Sequence, residues 1–255
     1  MFKLVIFSFI LFPFKLLASD TLNIASDIWC PYVCDNKDNP GILIEVINLI
    51  AEEEQLKISF TVLPFIRSLK LLEVKELDAV LALTPMHIDK FNLKPSQQYF
   101  GGWQNDFYVH NSSNWTFTSI DDLKLHLGQG NTLGLIKGYE YGEEIDNLKH
   151  SLNSKVYLAT GTSPLSTALH MLDKQRIAVL VDSRFNVEYE IKKEKLFNLK
   201  YVGSEGDFIP LYIGYHRSVN KETIKKIDLG LMKMRKSGQL RSILDKYGAP
   251  DWLPR

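Results

Sequence analysis

The sequence predicts an α/β fold of two lobes around a cleft, each lobe built on a mainly parallel sheet. Three observations carry this. Runs of β-branched and apolar residues alternate with runs of helical periodicity along nearly the whole chain. The strand–helix–strand pattern occurs once before Phe107 and again after it, with no low-complexity linker between the halves. The chain has 255 residues, 45% hydrophobic and 24% charged. That is ordinary globular composition, enough for one large domain or two of about 100 residues each.

Residues 1–19 stand outside this pattern. Lys3 gives a positive start, 4–14 is almost wholly apolar, and Leu17-Ala18-Ser19 places small residues before Asp20. This is the layout of a cleaved secretory signal peptide. The alternative, a membrane anchor, needs about 18–20 apolar residues, and Lys15 interrupts the run early. No cysteine follows the cleavage point to carry a lipid, and no later run is long enough to span a bilayer. The reading is therefore an exported, soluble protein.

The elements follow in order. Residues 21–28 read as a strand, and 41–56 as a helix with Ile42, Val46, Leu49 and Ile50 on one side. Residues 58–63 form a strand, and Pro64 opens a helix to about residue 75. Strands are expected at 79–83, from 107, and at 133–136, 156–158, 177–181 and 211–215. Helices are expected at 121–126, about 141–151, 163–173, 221–237 and 239–247.

Composition also excludes. Thirty basic and thirty acidic side chains cancel, so no overall field would hold a polyanion and nucleic acid is disfavoured as a partner. Two cysteines cannot build a disulfide-dense domain or a four-thiolate zinc site. The histidines at 87, 110, 126, 150, 170 and 216 form no metal-binding motif, and no phosphate-loop, dinucleotide or nucleophile-elbow signature occurs. No cofactor or metal is implied. Cys30 and Cys34, with Pro31 between them, could be a disulfide in an oxidising compartment, a redox pair or two free thiols. The redox reading is weakened by the CxxxC spacing.

Ordered markers then point to a family. They are Trp29-Cys30-Pro31-Tyr32 after the first strand, Gly41 at the first helix, and Pro64-Phe65-Ile66-Arg67-Ser68-Leu69 followed by Leu77-Asp78-Ala79-Val80. Leu133-Gly134-Leu135-Ile136-Lys137-Gly138, Ile177-Ala178-Val179-Leu180-Val181-Asp182 and the stretch from Met234 to Gly248 complete the series. From Leu22 to about Gly248 the chain resembles the periplasmic solute-binding proteins of family 3, receptors of polar amino-acid ABC importers. The resemblance implies a type II periplasmic-binding-protein-like fold. Lobe 1 would be 20–106 plus 211–255 and lobe 2 would be 107–210, with a two-strand hinge near 107–109 and 209–212. It also implies a periplasmic, monomeric receptor that takes a small amino-acid-like or carboxylate-bearing solute. The partner would be an ABC permease or a sensor protein.

The same resemblance supplies candidate ligand contacts, each with a plainer alternative. Trp29 and Tyr32 would stack on the solute, or cap the lobe 1 core. Phe65 and Thr84 match family contact positions, Phe65 being equally suited to core packing. Arg67, early in a helix where a cation opposes the dipole, would meet a ligand carboxylate or a surface acid such as Glu73. The stretch from Thr84 to Lys90 lacks the family's carboxylate-clamping arginine, and Lys90 lies near that place. Trp103 follows Gly101-Gly102 as a hinge or lid aromatic, and Tyr139 and Tyr141 follow the lobe 2 turn. Asp182, ending an apolar strand, matches the ammonium-binding position or caps the next helix. The family also includes a periplasmic cyclohexadienyl dehydratase, for which Glu140 would be the candidate acid.

Overall fold

The computed structural model describes residues 21–252; the expected signal peptide lies outside the described residues. Two five-stranded sheets organise the chain. The first begins with β1 (Leu22–Ser26), α1 (Ile42–Glu53), β2 (Ile58–Val62), α2 (Phe65–Glu73) and β3 (Ala79–Leu83), then α3 (Pro85–Lys90) and the short β4 (Lys94–Pro95). The chain crosses into the second sheet as β5 (Gly102–His110). There follow α4 (Ile120–Gly128), β6 (Leu133–Ile136), α5 (Glu143–Ser151), β7 (Val156–Ala159), α6 (Pro164–Asp173), β8 (Val179–Asp182), α7 (Arg184–Glu194) and β9 (Leu199–Pro210). It returns to the first sheet as β10 (Tyr212–Tyr215), and α8 (Lys221–Ser237) and α9 (Gln239–Tyr247) pack against α1.

The strand orders are β2-β1-β3-β10-β4 and β7-β6-β8-β5-β9. β1 is parallel to β2 and β3, and β6 to β7 and β8. These halves are the helix-connected units read from the sequence. The remaining pairs are antiparallel, so each sheet is mixed. The reason is topological: β5 and β10 arrive from the other sheet and not through a helical crossover, and β9 runs back along β5 to return the chain to the first sheet.

In such sheets the residues just past the parallel strand ends face a common crevice. Here those residues are Asp27 after β1, Thr84 after β3, the 137–140 turn after β6 and Ser183 after β8. The ladder between β3 and β10 also shifts register between Tyr212 and Gly214. Ala82 stands there at φ 59°. Such a bulge re-aims the chain beside the crevice.

Local signals set most boundaries. β3, β6, α8 and α9 coincide with their expected spans. Asn220 caps α8 by accepting the Glu222 N–H at 2.9 Å, and Gly238 ends it in a left-handed conformation. The expected strand from 107 is instead the longer β5, and the expected strand at 177–181 is shifted to Val179–Asp182. Four elements were not foreseen: α3 is too short for periodicity, α7 lacks a continuous apolar stripe, β4 is only two residues long, and β9 is a partly exposed edge strand without regular alternation, held by pairing with β5.

The loop before α1 is folded under itself. Gly41 at φ 103° lies so close to Tyr32 that an added Cβ would stand 2.5 Å from the Tyr32 carbonyl oxygen. Its N–H donates to the Tyr247 hydroxyl at 3.0 Å, and that hydroxyl donates to Glu45 at 2.6 Å. Gly41→Ala is expected to destabilise the protein by about 2 kcal/mol or more, since the clash is with backbone and the φ is strained. Urea unfolding would measure this, and a change below about 0.5 kcal/mol would show that the loop relaxes at little cost.

Candidate functional site

The crevice between the sheets holds a narrow cavity. From the first sheet it receives Ser26 and Asp27 past β1, Trp29 in the following loop, Phe65 at the start of α2, and Ala82, Thr84 and His87 around the β3–α3 junction. From the other side come Trp103 on β5, and Tyr139 and Glu140 in the turn after β6, with Leu211 at the return crossover.

Aromatic rings shape it. Trp29 stacks on Trp103 at 5.8 Å between centroids and on Tyr32 at 4.8 Å. Tyr139 meets Trp103 edge-on at 5.8 Å and Phe65 at 5.0 Å. Trp103 is fixed from behind by its Nε1–H bond to Asn105 at 2.8 Å. Cys30 and Cys34 are disulfide-bonded, so the loop carrying Trp29 and Tyr32 is closed covalently. Asn186 of α7 donates to the carbonyls of Trp29 (3.2 Å) and Cys30 (2.9 Å) and anchors that loop from the other sheet.

The polar groups bridge the crevice. The Tyr139 hydroxyl donates to Asp27 Oδ2 at 2.9 Å. Burial pushes the Asp27 carboxyl up to about 7, against the lowering effect of that bond. Trp29 Nε1–H donates to Asp182 Oδ1 at 3.3 Å, and the Ser183 N–H donates to the same atom at 2.8 Å. Asp182 is fully buried and its Oδ2 has no protein partner. Its carboxyl is pushed up to about 8, by burial first.

His87 is the third residue of α3 and completes the capping box with Thr84. The Thr84 N–H donates to Nδ1 at 3.2 Å, which places the ring proton on Nε2. Nε2 then donates to the Gly138 carbonyl at 2.9 Å across the crevice. Burial pushes the imidazole pKa down, so the ring is neutral. Gly138 allows this approach: at φ 96°, a Cβ there would stand 2.5 Å from Ile66 Cδ1. At the rim Lys90 Nζ pairs with Glu140 Oε1 at 2.8 Å. Burial would raise the Glu140 pKa, but the Lys90 bond and the neighbouring charges outweigh it and keep Glu140 ionised.

Residues 22–250 match the bacterial extracellular solute-binding proteins, family 3. The chain belongs to this family. No curated protein matches the sequence. Among solved structures, the fold of this family 3 protein is similar to a putative L-cystine ABC transporter from Listeria monocytogenes, with a TM-score of 0.75 and 15% identity over 92% of this chain and 99% of that one. It is similar to an ancestral arginine-binding protein bound to arginine, with a TM-score of 0.74 and 20% identity over 89% and 97%. It is also similar to a histidine kinase sensor domain related to periplasmic binding proteins, with a TM-score of 0.71 and 17% identity over 89% and 95%.

Of the residues singled out in the sequence, Trp29, Phe65, Thr84, Trp103, Tyr139 and Glu140 line the cavity of this family 3 protein. Tyr32, Tyr141 and Asp182 stand one layer behind it. Tyr32 packs between Trp29, Phe185 and Trp252, and the Tyr141 hydroxyl accepts the Ile136 N–H at 2.7 Å. Two expected cations are elsewhere. Arg67 is exposed and outside the cavity, because the face of α2 that turns inward carries Phe65, Ser68 and Leu69. Lys90 is spent on Glu140 at the rim, with its side chain 62% exposed.

Asp27 and His87 were not anticipated. The signal for Asp27 was present, since it follows an apolar strand as Asp182 ends one. The signal for His87 was weaker: a Thr-Pro helix start with His three residues after Thr. No group of three or more His, Cys, Asp or Glu among the described residues could hold a metal ion. None of the described helices is long and apolar enough to cross a membrane.

Proposed function

We propose that this protein is a periplasmic receptor, exported by the signal peptide at 1–19, that captures a small polar solute of amino-acid size between two lobes and presents its closed form to the permease of an ABC importer. The observation that carries this is the cavity itself: an aromatic-walled space at strand ends, inside a family 3 fold matched over residues 22–250. The bonds from Tyr139 to Asp27, from His87 to Gly138 and from Lys90 to Glu140 join the two sides across it. They are contacts that a hinge motion at the crossovers before Gly102 and after Pro210 would make and break. The neighbour holding arginine supports a solute of amino-acid size.

The similarity to a histidine kinase sensor domain favours a second reading, in which the closed form is read by a signalling partner. Binding and closure are common to both, and the neighbouring genes distinguish them: a permease with an ATPase, or a sensor kinase. The dehydratase reading receives less support, because Glu140 is held ionised by Lys90 and is a poor proton donor.

Thermal unfolding against a panel of amino acids, amines, small carboxylates and peptides tests the proposal. A ligand at 100 times its dissociation constant adds about 2.7 kcal/mol, which should raise the midpoint by roughly 5 °C or more. A folded protein that ignores every class of solute would refute the receptor reading.

A further inference from the structure

The charges around the cavity do not suit a carboxylate. Neither Arg nor Lys is among its lining residues. Arg67 is exposed and outside it, and Lys90 is already neutralised by Glu140. His87 is neutral and both of its ring nitrogens are engaged within the protein. The acids are in a different position. Asp27 lines the cavity beside Tyr139, and its carboxylate is met by the hydroxyls of Tyr139 and Ser26 but by no cation. Behind Trp29, Asp182 is fully buried with one carboxylate oxygen unpartnered. Between these acids stand the faces and edges of Trp29, Trp103, Tyr139 and Phe65.

Aromatic faces attract cations through their quadrupoles, and more strongly in a desolvated site. A buried carboxylate needs a paired cation or hydrogen-bond donors, and an organic ammonium supplies both. A ligand carboxylate in the same space would be desolvated beside Asp27 with no cation to offset it. Resting on the receptor reading above, we propose that the cavity takes an organic amine lacking a carboxylate. Its ammonium is held among the rings of Trp29, Trp103 and Tyr139, with Asp27 as the counter-charge. This departs from the carboxylate-bearing solute expected from the sequence.

Titration calorimetry with matched pairs tests the inference: L-lysine against cadaverine, L-tyrosine against tyramine, and L-arginine against agmatine. A pH of 8 is used, where Asp27 carries its charge. In at least one pair the amine should bind at least about tenfold more tightly than its parent amino acid, because the added carboxylate is buried without a partner. Asp27→Asn should weaken that amine by about tenfold or more while circular dichroism stays native. Equal or tighter binding of the amino acids would overturn the inference and leave the receptor standing. So would amine binding that survives Asp27→Asn within about twofold, or binding confined to anionic or neutral solutes. Failure of every solute class would remove the receptor reading and the inference together. The matched pairs are read on the unaltered protein, so the test does not depend on the variant folding.

Discussion

Replacing Trp29 with Ala is expected to abolish solute binding and to cost the protein about 3–5 kcal/mol, the range for a large buried aromatic. Trp29 is 3% exposed and stacks on both Tyr32 and Trp103. Its Nε1–H is also the side-chain donor to Asp182 Oδ1. Truncation therefore opens a void between two rings and leaves a buried acid with one fewer partner. At about 2–4 °C per kcal/mol for a chain of this size, the midpoint should fall by roughly 10 °C. Trp29→Phe separates the two effects: it keeps a ring for stacking and loses the donor, at about 1–3 kcal/mol. Arg67→Ala serves as the contrast, with a change within about 0.5 kcal/mol and unaltered binding. A melting curve for Trp29→Ala that overlays the wild type would show that the stack contributes little.

The second large effect is a loss of stability as pH rises, traced to Asp27 and Asp182. Both carboxyls are raised by burial from 3.8, to about 7 and about 8. Between these limits the folded protein keeps protons that the unfolded chain has released. Their contribution is thus complete below the unfolded value and is lost as pH climbs through about 7 for Asp27 and about 8 for Asp182. Each group costs about 1.4 kcal/mol per pH unit within its window.

The groups facing Asp27 and Asp182 are the Tyr139 and Ser26 hydroxyls, Trp29 Nε1–H, the Ser183 N–H, the two acids themselves and Asp106. None is a cation. His87, whose folded value is lowered, acts in the opposite sense, but only below its ordinary value of 6.5. Asp182→Asn keeps an oxygen for Trp29 and Ser183 and removes the titration. The variant should melt near the wild type below about pH 4, where Asp182 is protonated folded or unfolded, and several kcal/mol more stably at pH 8. Parallel midpoint-against-pH curves for the two proteins would refute this assignment.

The elements that were legible in the sequence are those whose signal is local. α8 carries its own N-cap and C-terminal glycine, and β3 and β6 are short apolar runs bounded by turns. Where the signal is pairwise it was silent: β9 is interrupted by Gly203 and Gly206, lacks regular alternation and is a strand because β5 lies beside it. The site divides in the same way. Trp29, Phe65, Thr84, Trp103 and Tyr139 could be picked out by residue type at strand ends and turns. Asp27 and His87 acquire their roles only through Tyr139 and Gly138, more than 50 residues away in the chain.

The sequence alone determined the α/β class, the doubled strand–helix plan, the family and an aromatic-rich crevice, because periodicity and turn chemistry act over a few residues. Tertiary structure decided the charge of that crevice. Whether Arg67 or Asp27 faces the cavity depends on which side of α2 packs inward and on how β1 ends against β6, and these contacts join distant parts of the chain. Burial then sets each group's protonation, and burial exists only once both sheets are in place.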